Sequence, residues 1–293
     1  MTTPPGILEM IKAGYCHPSC IINKTLSREH TMNTRILIVR LILAAVICSC
    51  NAFAQSQPFV YTLASTALQS GTTVIHYDAA YGEKTFEPFG GDNFEQNAGI
   101  RATVSDNLLF IGNFGVASTN RSSRVMEHGE LLYTIWNEQQ SGFGCSAGAG
   151  MRREYGGTNV MLSRLVIGKQ FASWHLDGNI LLEKAFSADR DEIDLMTTIG
   201  CSYAVSSSLH AGIEAIGQDL EGFWDPNEAE GGAVVFFGPV LSFRVPETSL
   251  TMTVGGGPIL RATNSPRFSG AVRDVAAVTG NGFVIRTMVS FGL

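Results

Sequence analysis

The chain has 293 residues, of which 45% are hydrophobic and 16% charged, with 32 glycines and a formal charge of −6. It is too apolar for a disordered chain and too rich in glycine for a helical one. Its acidic balance argues against nucleic acid as a partner.

The first organised feature is a targeting segment that begins at Met32. Arg35 and Arg40 form a positive region, Leu41 to Ile47 a short apolar run, and Ala52-Phe53-Ala54 a small-x-small cleavage site. The run is far shorter than the roughly 20 residues of a transmembrane helix. Residues 32–54 therefore read as a signal peptide and residues 1–31 as an upstream extension. Cleavage is expected after Ala54, with lipidation at Cys50 as the alternative. Five of the 20 Lys and Arg and two of the 26 Asp and Glu precede residue 55, so the chain after it carries 15 positive and 24 negative groups. Only Cys145 and Cys201 remain there, which is no disulfide framework. Residues 55–71 read as a periplasmic segment before the folded part, and residues 72–293 as a single all-β domain.

From residue 72 onward the apolar positions recur at period two, the mark of strands with two unlike faces. Ala98, Ile100, Ala102 and Val104 oppose Asn97, Gly99, Arg101 and Thr103. Trp174, Leu176, Ile180 and Leu182 oppose His175, Asp177, Asn179 and Glu183. Ile193 to Val205 and Leu209 to Ala215 repeat the pattern, and Phe283, Ile285, Val289 and Phe291 oppose Arg286 and Ser290. About twelve strands are predicted, at 72–82, 94–105, 107–118, 126–137, 142–153, 158–169, 173–184, 191–205, 208–219, 232–243, 248–260 and 282–293. Their length suits a tilted membrane-spanning strand, about 9–11 residues, better than a soluble one of about 5–6.

Long and short connections alternate. Glu83–Asn93, Leu220–Gly231 and Arg261–Asn281 are long, whereas Ser105–Asn107, Gln170–Ala172, Ser206–Ser208 and Pro246–Thr248 are tight. Thr119–Arg124, Asn137–Ser141 and Glu154–Thr158 differ little in length. Membrane barrels place short turns at one end and long loops at the other. The charged residues collect on one face of the strands, so Arg101, Arg152, His175, Asp177, Asp194, His210, Glu214 and Arg286 are candidates to line a lumen. Trp136, Phe143, Phe171, Trp174, Tyr203, Phe243, Phe283 and Phe291 fall near strand ends and suit interfacial girdles.

The leader, the amphipathic strands and the alternating C-terminal strand together resemble bacterial outer-membrane β-barrel proteins. The resemblance spans residues 32–293 and is one of architecture. It implies an antiparallel transmembrane β-barrel in the cell outer membrane, with outer-membrane lipid around it and barrel-assembly machinery recognising the last strand. Such chains usually end in an aromatic residue; this one ends Ser290-Phe291-Gly292-Leu293.

No catalytic or metal site is expected, and no cofactor. The pairs His76/Asp78, His128/Glu130 and His175/Asp177 each share a strand face, but a barrel hydrolase also needs a nucleophile beside the base. Gly148-x-Gly150 and Gly255-Gly256-Gly257 lie in strands, not before helices, so they mark bends or close approach of lumen contents to the backbone. The polar faces of 173–184, 191–205 and 208–219 carry His175, Asp177, Glu183, Asp194, His210 and Glu214 without Lys or Arg. Two arrangements are open: this acidic wall lines water and attracts cations, or Arg101, Arg152 and Arg286 pair with it and close the lumen. A passive channel for small solutes is the leading expectation, favoured by small inward residues. A plugged surface-interaction barrel is second, and an outer-membrane lipid-modifying enzyme third.

Overall fold

Period-two alternation becomes twelve antiparallel strands of 10 to 14 residues. The computed structural model describes residues 57–65, 72–83, 93–118, 123–186, 193–225, 232–264 and 281–293. The expected leader, Cys50 and the cleavage site after Ala54 lie outside these residues. In chain order the strands are β1 (Thr73–Gly82), β2 (Asn93–Ser105), β3 (Leu108–Ser118), β4 (Ser123–Trp136), β5 (Gly144–Arg153) and β6 (Asn159–Phe171). They continue as β7 (Trp174–Ala185), β8 (Asp194–Ala204), β9 (Leu209–Gln218), β10 (Val234–Arg244), β11 (Leu250–Arg261) and β12 (Gly282–Gly292).

Each strand pairs with its sequence neighbours, and β12 returns to β1, with Val74 opposite Gly292 and Gly82 opposite Val284. Leu293 N–H extends the seam by donating to the Thr73 carbonyl at 2.7 Å. Closure leaves no strand edge, which excludes an open sandwich. Among the described residues no helix is long and apolar enough to cross a membrane; strands make the crossing.

The outward face supplies the physical reason. Tyr77, Leu131, Ile135, Ile180, Leu182 and Ile199 point away from the barrel and are exposed, Ile199 by 57%. A continuous apolar exterior would promote association in water, whereas lipid accepts it and the closed ladder satisfies every strand's backbone. Trp136 packs on Phe143 and Trp174 on Tyr203, with centroids 5.4 and 5.0 Å apart, both at the end that carries the tight turns. Phe171 and Phe243 join them there, while Phe283 sits at the opposite end. Apolar outside, polar within and closed, the chain is a transmembrane barrel of the outer-membrane type.

The alternation of connection lengths fails at one place. Asn137–Phe143, at the tight-turn end, is longer than either neighbouring connection because it holds a helical turn, Glu138–Ser141. Asn137 caps that turn by accepting from the Gln139 N–H at 2.9 Å, and Gly142 ends it in the left-handed region at φ 76.

The inward face is less uniformly polar than the sequence predicts. In the half nearer the long connections, Leu162, Leu181, Ile216, Phe236, Ile259 and Val284 form one buried apolar cluster, drawing on strands β6 to β12 and, through Ala80, on β1. Strands β2 to β5 complete the circumference with Glu95, Asn97, Asn113, His128 and Glu130.

Candidate functional site

Residues 57–65 lie inside the barrel. The sequence reading set 55–71 aside as a periplasmic segment, yet Phe59 and Thr62 are fully buried and Ser65 is 5% exposed, all against inward-facing wall residues. The segment is a hook. The Gln57 carbonyl accepts from Thr253 Oγ1 at 3.2 Å near the tight-turn end of β11, and Tyr61 reaches up to pack edge-on against Phe236 at 5.4 Å. Ser65 returns towards the tight turns beside Gly144 and Gly168. Gln57 Nε2 donates across the hook to the Thr62 carbonyl at 2.6 Å, and the Arg286 guanidinium lies 5.0 Å above the Tyr61 ring.

Three side chains of the wall accept the backbone N–H groups of the hook. The N–H groups of Val60 and Tyr61 donate to the Glu214 carboxylate at 3.2 and 2.8 Å, and the Thr62 N–H donates to it as well. Three successive amides converging on one anion form a nest. Asn179 accepts from the Leu63 N–H at 2.8 Å and donates to the Leu63 carbonyl at 2.9 Å, while Asp177 accepts from the Ser65 N–H at 2.7 Å. Removing a carboxylate from water costs several kcal/mol. Each N–H donated to a charged acceptor contributes roughly 1.5–3 kcal/mol, so the hook stands in for the water it displaces.

The floor on which the hook rests is set by register. Asp177 pairs with Gly200 and Gly200 with Glu214, so the two carboxylates flank a glycine in one row across β7, β8 and β9. A Cβ on Gly200 would fall 2.5 Å from the Phe59 ring, and one on Gly255 would fall 3.1 Å from Val60. The small inward residues therefore make room for the hook's side chains, where the sequence reading took them to favour an open pore. Close approach to the backbone, expected for the Gly255–Gly257 run, is realised at Gly255.

The arginines do not face the acidic wall across the lumen. Arg152 pairs with Glu183 at 2.6 Å and Glu154 at 3.0 Å by reaching over β6, and Arg286 pairs with Glu95 at 2.7 Å and Asp78 at 3.3 Å. Arg101 sits between Val74 and Ile111, on the β1–β3 side. Arg152–Glu183 and Arg286–Glu95 each span one intervening strand, because a strand spacing of about 4.8 Å leaves the next strand but one within reach of a guanidinium. Asp194 stands opposite Glu183 at the long-connection end. His175 and His210 meet edge to face at 5.1 Å near the tight turns. Of the eight candidate residues, Arg152, Asp177, Asp194, Glu214 and Arg286 are buried, and Asp177, Glu214 and Arg286 touch the hook.

Sequence reasoning passed over Glu95, Arg164, Asn179's pairing role and the hook itself. Glu95 was recoverable by extending the Asn97–Thr103 alternation one step back. The hook's signal was an apolar run, Phe59 to Leu63, with no strand partner assigned to bury it. Of the three His-x-acid pairs, Asp78 serves Arg286 and Asp177 serves Ser65, whereas His128 Nε2 lies 3.3 Å from Glu130 while its Nδ1 meets Asn113 at 2.9 Å.

No protein-family model matches the chain, and no curated protein matches it. Among solved structures the barrel is similar to the KdgM porin in complex with disordered oligogalacturonate, at 12% identity over 74% of this chain and 98% of that one, with a TM-score of 0.49. It is similar to the NanC porin at 9% identity over 73% and 98%, with a TM-score of 0.48. An outer-membrane channel from Pseudomonas putida F1 is similar at 12% identity over 82% and 100%, with a TM-score of 0.49.

Proposed function

We propose that the protein is an outer-membrane channel for small solutes, held closed by its own residues 57–65. The observation that carries this reading is the way the hook is bound. Its amides go to the side chains of Glu214, Asn179 and Asp177, not to a strand of the ladder. Water can replace such an occupant at each of these acceptors, and the twelve-strand closure does not depend on it. Tyr61 caps the apolar cluster in the outer half, so its departure removes the largest ring from a hydrophobic constriction of the kind that gates by dewetting. The polar flank on β2 to β5 then offers the water path.

Planar-bilayer conductance tests the reading. The full chain is expected to be silent or to open rarely, and a chain lacking 57–65 to conduct steadily. Equal silence in both would overturn it in favour of a permanently filled barrel that works through its surface.

A further inference from the structure

Two buried carboxylates in this lumen are held by the hook, whereas five others pair with arginine. Asp78 and Glu95 share Arg286, Glu130 has Arg164, and Glu154 and Glu183 share Arg152. Asp177 and Glu214 are 5% and 2% exposed; backbone N–H groups of the hook meet both, the Ser65 hydroxyl also bonds Asp177, and among the described residues neither pairs with an arginine. They flank Gly200 in one row, with their backbones two strand spacings, roughly 10 Å, apart. Thr198 and Ser202 stand on either side of Gly200 on the same inward face. Both are at least nine-tenths buried, and among the described residues their hydroxyl oxygens have no hydrogen-bond partner.

We propose that this trough is the recognition site of the channel for linear aliphatic diammonium solutes, and that the hook is their internal competitor. The inference rests on the channel reading above. The trough presents an anion, an apolar gap and a second anion, which is the complement of a cation, a hydrocarbon spacer and a second cation. The gap is the glycine floor that the Phe59 ring now covers. The hydroxyls of Thr198 and Ser202 supply acceptors for the remaining ammonium hydrogens. The hook imitates the N–H groups of such a solute without carrying its charge. Both occupants donate to a charged acceptor, but only the diammonium ion also brings a full opposite charge to each carboxylate, so it displaces the hook where a neutral amide would not.

Cadaverine is the probe, with butylamine and glutarate as monoamine and dianion controls. In bilayers holding the chain that lacks 57–65, cadaverine is expected to block the ion current at concentrations on the order of tenfold lower than butylamine, with no block by glutarate. Asp177→Asn with Glu214→Gln is expected to abolish that difference. A current that opens but responds equally to cadaverine and glutarate, or is unchanged in the double variant, overturns the diammonium site and leaves the channel reading standing. Absence of any current overturns the channel reading itself. A second measurement avoids the deletion. In the full chain with Cys145→Ser and Cys201→Ser, Phe59→Cys is expected to react with a water-soluble thiol reagent severalfold faster in cadaverine than in glutarate. Equal rates overturn the proposal.

Discussion

Arg164 on β6 reaches Glu130 on β4 over the glycines of the strand between them. Its Nε donates to the two carboxylate oxygens at 2.9 and 3.1 Å. Gly150 pairs with Glu130, and Gly148 pairs with Arg164. The Gly148-x-Gly150 motif thus lowers the inward surface of β5 so that charges two strands apart can meet.

Glycines of the barrel and glycines under the hook are expected to respond differently to substitution. A Cβ on Gly150 would lie 2.4 Å from the Gly129 carbonyl and 2.9 Å from Glu130 Cβ, so Gly150→Val strains the wall itself. Overpacking of this kind costs about 1–3 kcal/mol, readable as a lower urea midpoint for barrel unfolding. The three atoms nearest a Cβ on Gly200 all belong to the Phe59 ring. Gly200→Leu is expected to expel the hook, raise conductance and leave the midpoint nearly unchanged.

Arg286 joins β12, β1 and β2 by pairing with Glu95 and Asp78 across the seam. Arg286→Gln takes a guanidinium away from two buried carboxylates, and breaking such a pair costs about 3–5 kcal/mol. The triple change Arg286→Met, Glu95→Gln, Asp78→Asn is expected to recover most of that loss. Unfolding titrations of the two variants against the parent check both statements.

Arginine at Ile199 or Ile180, which face outward in mid-strand, is expected to destabilise the barrel by about 2–4 kcal/mol. At Val205, beyond the tight-turn end of β8, the cost is expected to fall to about 0–1 kcal/mol. A flat response to depth in lipid-vesicle unfolding would contradict the membrane placement.

Ala172 occupies the two-residue turn between β6 and β7 at φ 53. A left-handed conformation costs a non-glycine residue roughly 1–2 kcal/mol, so Ala172→Gly is expected to stabilise the barrel by about 1 kcal/mol, less the extra entropy of the unfolded glycine. The urea midpoint should rise.

Strand existence and facing were readable because alternation between lipid and lumen is imposed on every strand by the same pleat. Predicted and observed boundaries differ most at the start of β4, expected at 126 and found at Ser123, and at the start of β8, expected at 191 and found at Asp194. The partners of the inward charges were harder to read. Arg152 and Glu183 are 31 positions apart and Arg286 and Glu95 are 191 apart, and only the register of the intervening strand brings each pair together. The hook escaped because its nine residues carry neither a strand's alternation nor a turn that would pair them with a neighbour. Phe59, Val60 and Leu63 needed burial, and nothing local in the sequence named the wall that provides it.

The hook also constrains the order in which the molecule can be completed. Every strand pair except the β1–β12 seam joins sequence neighbours, so the sheet can grow by local hairpins. The hydrogen bonds from residues 60–65 instead span 112 to 154 positions, and their acceptors sit on β7 and β9. Closing so long a loop adds only a few RT, because its entropy grows with the logarithm of length. Timing is the stronger constraint: the first described residues of the chain have no surface to settle on until its ninth strand is in register. A barrel interrupted before β9 would keep Phe59 and Tyr61 uncovered, and a Phe59→Cys thiol should react with a water-soluble reagent faster in chains truncated there than in the finished barrel.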